Sequence, residues 1–243
     1  MLEINKIYNL DCLDGMKKMD SKSVDISFTS PPYNDSGNET LHVSESHNSH
    51  KKYLHVENRV DWLDWQIECI DEMLRVSKKY VIYNIQAIIN NRKNVYKLIG
   101  HYNDRIHDIL IWNKTNGAPT STPHKISNTY EFIIVLKCDG VNGVDVNSDF
   151  YRNVITLPIN SFGEYTKIHK AVMSKDLCKE VVGEFSKKGE TVLDPFMGLG
   201  TTALCCQDLN RNFIGFEIVE EYYNICNKRL EENASQTSIF DFL

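Results

Sequence analysis

A chain of 243 residues has room for one sizeable core and too little length for two full domains. Charged residues at 25 % and hydrophobic ones at 42 % are ordinary for a globular protein, and no apolar run reaches the roughly 20 residues that a membrane-spanning helix needs. A net charge of −6 argues against a protein that coats nucleic acid indiscriminately, yet it leaves room for an enzyme with a local basic face.

The start, MLEINKIYNL, has no basic segment followed by an apolar one, so a secretory signal is not expected and a cytoplasmic protein is. Seven cysteines with no CxxC pair suggest reduced, mostly buried thiols rather than a disulfide framework or a zinc site. From the N-terminus onward, the first clear strand is 24–28, VDISF, which ends in a Pro-Pro turn. Trp62, Trp65, Ile67, Ile70, Met73 and Leu74 recur at helical spacing over 62–76. A strand at 80–85 and an amphipathic helix at 88–98 follow, then strands at 106–112 and 130–136. The last third reads as a helix at 176–185, a strand at 191–193, a helix from 201, a strand at 213–216 and a helix at 219–230. This alternation predicts an α/β fold, a mostly parallel twisted sheet with helices on both faces.

Two polar stretches interrupt the pattern, at 34–58 and 113–128. The first holds His42, His47, His50 and His55, but their spacing matches no standard ligand pattern and no cysteine accompanies them, so no metal is expected. Loops of this length in a compact domain are usually functional or disordered. Lys78, Lys79, Arg92, Lys93 and Lys97 are candidates for a phosphate-steering basic face, or equally for a solvated helix surface.

The segment Thr191-Val192-Leu193-Asp194-Pro195-Phe196-Met197-Gly198-Leu199-Gly200-Thr201-Thr202 reads as a strand, a glycine turn and a helix start. Glycines let a backbone approach a ligand closely, and the helix N-terminus behind them offers free N–H groups to an anion. The next strand ends at Glu217, an acid placed to hold ribose hydroxyls as in nucleotide-binding α/β folds. The spacing matches neither GxGxxG nor the P-loop, which leaves a nucleoside without a pyrophosphate.

At the end of the first strand stands Phe28-Thr29-Ser30-Pro31-Pro32-Tyr33-Asn34. The two prolines stiffen the backbone and remove two N–H donors, and Tyr33 adds an aromatic face. An exocyclic amine on a base is a poor nucleophile because its lone pair is delocalised into the ring. Acceptors aimed at its two hydrogens, here Ser30 Oγ and the Pro31 carbonyl, would localise that pair for attack.

DPFMGLGTT resembles the DPF-x-G-x-G-T-T motif that binds S-adenosylmethionine in amino-directed DNA methyltransferases, and Ser30-Pro31-Pro32-Tyr33 is similar to the (Asp/Asn/Ser)-Pro-Pro-(Tyr/Phe) motif of the same family. The resemblance implies a single Rossmann-like methyltransferase domain over 1–232, with catalysis by Ser30, Pro31, Pro32 and Tyr33. It implies that Asp194, Phe196, Gly198 and Gly200 line the cofactor, that Thr201 and Thr202 sit near its carboxylate, and that Glu217 holds its ribose. The catalytic motif precedes the cofactor motif, as in the beta group; protein-glutamine and many RNA-guanine methyltransferases carry theirs in the other order. Asn9-Leu10-Asp11-Cys12-Leu13-Asp14-Gly15-Met16 looks like the family's early segment and would set Asp11 and Cys12 against the adenine. Tyr130-Glu131 and Trp112-Asn113-Lys114 echo its central strands. Ahead of the cofactor motif the family usually has two proline dipeptides; here His169-Lys170-Ala171-Val172-Met173-Ser174 has neither proline, and only His169 carries over.

The implied partner is double-stranded DNA with the target nucleotide flipped out, since its amine is out of reach inside a duplex, and the polar loops are the expected DNA contacts. A serine heading the motif resembles the cytosine-N4 subgroup, with adenine-N6 methylation as the alternative and a catalytically silent DNA- or clamp-binding module as a lower one. The tail 233–243 contains Gln236-Thr237-Ser238-Ile239-Phe240, similar to a peptide with which bacterial replication proteins bind the sliding clamp; Gln236, Ile239 and Phe240 would be its anchors. A bacterial or phage protein acting on DNA in the cytoplasm, within restriction-modification, is the resulting expectation.

Overall fold

The structure of the protein is a computed structural model that describes residues 2–33, 61–88, 90–116, 124, 126–159 and 172–240. Among them are β1 (Lys6–Tyr8), α1 (Cys12–Met16), β2 (Val24–Thr29), α2 (Trp62–Val76), β3 (Ser77–Ile85), α3 (Arg92–His101) and β4 (Ile106–Lys114). They are followed by β5 (Tyr130–Lys137), β6 (Val154–Leu157), α4 (Lys175–Phe185), β7 (Thr191–Asp194), α5 (Thr201–Asp208), β8 (Asn212–Phe216) and α6 (Glu220–Phe240). All eight strands form one sheet in the order β1-β8-β7-β2-β3-β5-β4-β6. Only β5 runs against its neighbours β3 and β4; every other pairing is parallel. The expected mostly parallel sheet is therefore present, with one reversed strand.

Strand residues alternate between two cores. On β3, Tyr80 and Ile82 face a cluster built with α4, α5 and α6, while Val81, Tyr83 and Ile85 face one built with α1, α2 and α3. On β5, Ile133 and Val135 join the first cluster and Ile134 and Leu136 the second. Each such fully buried aliphatic contributes about 1.5–3 kcal/mol by leaving water. α2 presents Trp62, Trp65, Cys69, Ile70, Met73 and Val76 to the sheet, a stripe at helical period, and hands directly to β3 at Ser77. All seven cysteines are buried and free.

The chain goes from β2 through α2 to β3 on one side of the sheet's midpoint, and from β7 through α5 to β8 on the other. Strand order thus reverses between β2 and β7, which are parallel and paired at Ile26↔Val192 and Ser27↔Leu193. The carboxyl ends of strands at such a reversal open a crevice in which α/β folds bind ligands.

Several boundaries differ from the sequence expectation. α3 begins at Arg92 rather than near Ile88, because the Ile88 carbonyl is used in a turn by the Asn91 and Arg92 N–H groups. α6 does not stop near Leu230 but runs on to Phe240, through a polar stretch with no glycine or proline to end it. The stretch 34–58, His169 and 241–243 lie outside the described residues, as do the side chains of Gln236, Ile239 and Phe240; of 113–128, residues 113–116, 124 and 126–128 are described. No described helix is long and apolar enough to cross a membrane.

Candidate active site

The two motifs leave the sheet side by side at the reversal between β2 and β7. Thr29, the last residue of β2, donates from Oγ1 to Asp194 Oδ1 at 2.7 Å, and Asp194 is the last residue of β7. Beyond that link the structure holds a cleft of about 810 Å³ including its open mouth. Asp11, Cys12, Asp194, Phe196, Gly198, Thr201, Thr202 and Glu217 line it, and Ser30 and Pro32 line it from the catalytic side. Most of the expected residues thus share one space, although the chain separates Ser30 from Asp194 by more than half its length; Pro31, Tyr33 and Gly200 stand behind its wall rather than on it.

Asp194 is the knot of the cofactor side. Its Oδ1 also accepts the Phe196 N–H at 3.0 Å, and its Oδ2 accepts Thr202 Oγ1 at 2.6 Å. Burial pushes the carboxyl above its ordinary range, and the bonds from Thr202, Thr29 and Phe196 oppose that push. The aspartate is 1 % exposed, so its oxygens tie β2, the glycine turn and α5 together as well as bordering the cleft. Gly200 occupies the N-cap of α5 at φ 84°, where a Cβ would lie 2.1 Å from Cys226 Sγ. Only glycine fits both the angle and the approach.

At the far wall, Glu217 Oε2 accepts from Gly198 N and Oε1 from Val219 N, both at 2.8 Å. Burial raises this carboxyl to about 7 against the pull of those two backbone donors. Asp11 caps α1, accepting from the Leu13 and Asp14 N–H groups at 2.9 and 3.4 Å, and so sets Cys12 at the cleft edge. The first turn of α5 has no side-chain cap, which leaves its N–H groups for an anion. Uncapped amides, an apolar wall of Phe196 and Phe216, and a carboxylate opposite them fit a nucleoside that also carries a carboxylate.

On the Ser30 side the turn is clamped by side chains whose part in it the sequence does not reveal. Trp62 Nε1 donates to the Pro32 carbonyl and Asn91 Nδ2 to the Tyr33 carbonyl, each at 2.8 Å. The proline amides have no hydrogen to offer, so these bonds fix the turn through its carbonyls. Ser30 Oγ lies 3.0 Å from Tyr33 OH, which donates to Glu131 Oε2 at 2.7 Å. Asn84 Nδ2 reaches Glu131 Oε2 at 2.6 Å, Tyr33 OH at 3.2 Å and Ser30 Oγ at 3.3 Å. Lys114 Nζ closes the group 2.5 Å from Glu131 Oε1. The sequence sets Glu131 and Lys114 only in central strands; their meeting with Ser30 depends on strand pairing that no local pattern reveals.

Of the candidate basic face, Lys78 pairs with Asp25 at 2.9 Å and Lys79 with Glu190 at 2.6 Å. Both stand at the first residues of β3, the end of the sheet opposite the cleft, so they do not belong to a face around it. Arg92, Lys93 and Lys97 are exposed on α3, whose first turn follows the Asn91 that holds Tyr33, and they make no ion pair among the described residues.

Comparison with known proteins gives one direction. The N6/N4 methyltransferase family model, described as DNA methylase, matches residues 24–228. The Type II methyltransferase M.HinfI of Haemophilus influenzae is 25 % identical over 94 % of this chain and 69 % of its own length. The Type II methyltransferase M1.MboII of Moraxella bovis is 26 % identical over 93 % of this chain and 96 % of its own. Among solved structures, the M1.HpyAVI complex with SAM superposes with a TM-score of 0.63 at 24 % identity, covering 93 % of this chain and 98 % of that one. The cytosine-N4-specific PvuII DNA methyltransferase gives 0.69 at 15 % identity, over 91 % and 84 %. The two structural likenesses are likenesses of fold.

Proposed function

The chain belongs to the N6/N4 DNA methylase family, and on that premise we propose that it transfers a methyl group from S-adenosylmethionine to the N4 amine of a cytosine flipped out of double-stranded DNA. The observation that carries this reading is the position of Ser30: it borders the same cleft as Asp194, Phe196 and Glu217, where strand order reverses between β2 and β7.

Asp11, Cys12, Phe196, Gly198 and Glu217 would hold the nucleoside, and the amides at the start of α5, with Thr201 and Thr202, its carboxylate. When bound, the sulfonium supplies an electrophilic methyl group. The chain's own residues do the rest. Ser30 Oγ and the Pro31 carbonyl accept from the two hydrogens of the amine and turn its lone pair out of the ring, while the stiff Pro31-Pro32 turn keeps both acceptors in place. The Tyr33 ring stacks on the flipped base. With that lone pair held towards the methyl group, the surplus N–H proton of the methylated amine would pass to solvent at the open side of the cleft.

The serine head of the motif favours cytosine over adenine. The test is to digest DNA from cells expressing the protein to nucleosides and weigh them. N4-methylcytosine supports the reading, N6-methyladenine overturns the base, and no methylated amine overturns the activity.

The C-terminal peptide supports docking to a sliding clamp through Gln236, Ile239 and Phe240. Because α6 reaches Phe240, this segment would leave its helix to bind as an extended strand. Deleting residues 236–243 should abolish binding to purified clamp; binding that survives the deletion, or none by the intact chain, removes the clamp from its partners.

A further inference from the structure

Strand pairing puts Asn84, Glu131 and Lys114 on one face of three adjacent strands. Asn84 pairs with Ile133, two residues from Glu131, and Glu131 pairs with Trp112, two residues from Lys114. Since side chains alternate along a strand, the three share a face, and Ser30 and Tyr33 come down on it from the end of β2. Asn84 is 1 % exposed, and the Glu131 and Lys114 side chains are 6 % and 11 % exposed. A buried ion pair is seldom a good device for stability, because apolar residues of the same volume often serve as well or better. Its place against the catalytic turn points to another role.

The serine hydroxyl poses a problem that an aspartate in its place would not. A hydroxyl has one hydrogen and two lone pairs, and it orients a base amine as acceptor only when its own hydrogen points elsewhere. The network gives that hydrogen a destination. Tyr33 OH gives its one hydrogen to Glu131, so towards Ser30 Oγ, 3.0 Å away, its oxygen acts as acceptor, as it also does for Asn84 Nδ2 at 3.2 Å. A hydroxyl held this way keeps one lone pair towards Asn84 Nδ2, 3.3 Å away, and the other towards the cleft that Ser30 lines. Lys114, 2.5 Å from the other Glu131 oxygen, balances the charge and prevents that carboxylate from turning away.

We propose that Glu131, held by Lys114 and Asn84, is a positioning residue that sets the Ser30 hydroxyl as an acceptor towards the target amine by taking up its hydrogen through Tyr33. The carboxylate that a serine motif lacks is thereby supplied one hydroxyl away, and Tyr33 acts through its OH as well as its ring. This rests on the amino-methylation reading above.

The test uses the purified full chain, its DNA substrate and S-adenosylmethionine, with single-turnover rates and cofactor affinity measured on Y33F, E131Q and the double variant Y33F/E131Q. Y33F keeps the stacking ring and removes only the hydroxyl. Each single variant should lower the methyl-transfer rate about a hundredfold, the scale expected when a reacting contact is misplaced, with KM for the cofactor unchanged. The double variant should be little slower than either single one, because both break one chain of hydrogen bonds. Y33F transferring at the wild-type rate, or losses that multiply in the double variant, would overturn the proposal. If E131Q does not fold, Y33F alone still decides, since retained cofactor binding reports its fold. Wild-type protein that methylates no amine sinks the underlying reading instead, so the two failures are distinct.

Discussion

Thr29 and Asp194 lie 165 residues apart and are joined by a 2.7 Å hydrogen bond from the threonine hydroxyl to the carboxylate. One precedes Ser30 and the other opens the glycine turn, so this contact fixes the spacing of the two motifs across the cleft. Asp194 is buried with its carboxyl pushed above the ordinary range, and every donor it has matters.

T29V removes the hydroxyl at nearly constant volume and leaves a buried carboxylate one donor short. It should lower stability by about 1–3 kcal/mol, read as a lower urea midpoint. It should slow methyl transfer as well. An unchanged midpoint would show that the bond does not hold the two motifs together.

Glu217 predicts a pH dependence. Its folded value of about 7 lies above the ordinary 4.5, so between these values the folded chain keeps a proton that the unfolded chain has lost. Stability then falls as pH rises through that window, by about 3 kcal/mol in total. Asp194, also raised by burial, adds a slope of the same sign, so E217Q should reduce the fall rather than abolish it. Urea unfolding at about pH 5 and about pH 8 measures it. Ribose hydroxyls donate best to the ionised carboxylate, so cofactor affinity should rise as pH passes about 7.

Gly200→Ala meets two obstacles, a φ of 84° and a Cβ 2.1 Å from Cys226 Sγ. The backbone alone costs about 1–2 kcal/mol, and displacing the thiol adds a comparable amount. The start of α5 should shift and cofactor affinity fall. Adding C226A should recover part of the lost stability and none of the backbone strain; no recovery at all would mean that the thiol contact is irrelevant.

The basic residues divide by their place in the fold. R92Q/K93Q should weaken DNA binding and flatten its salt dependence by about 0.9 in slope for each phosphate that is no longer neutralised. K78Q/K79Q, at the opposite end of the sheet and paired to Asp25 and Glu190, should leave DNA affinity unchanged. Equal losses of affinity in both variants would contradict this division.

Much of the fold is legible in the sequence because its strongest elements are locally encoded. The spacing from Trp62 to Val76 marks α2 from end to end, since that helix buries one continuous stripe. β1, α1 and β6 are not legible: they span 3, 5 and 4 residues, too short for periodicity, and lack the glycine turn that marks the equally short β7. The reversal of β5 is equally hidden, because strand direction is a matter of pairing. At the site, the resemblance names Ser30, Asp194 and Glu217 as candidates, and the structure sets all three on the wall of one cleft. It does not foresee the Thr29–Asp194 bond or the meeting of Asn84, Lys114 and Glu131, since those come from different strands and acquire meaning only when the sheet is assembled.

In the proposed reaction the Ser30 hydroxyl, on the wall of the cleft, orients a DNA base amine for methyl transfer. The most direct measurement is the single-turnover rate of Ser30→Ala on duplex DNA, with cofactor affinity determined on the same sample. Ser30→Ala should bind the cofactor with wild-type affinity and transfer the methyl group about 10²-fold or more slowly, as for loss of a preorganised hydrogen-bonding group in other active sites. A variant that binds S-adenosylmethionine normally and methylates DNA at the wild-type rate would contradict it.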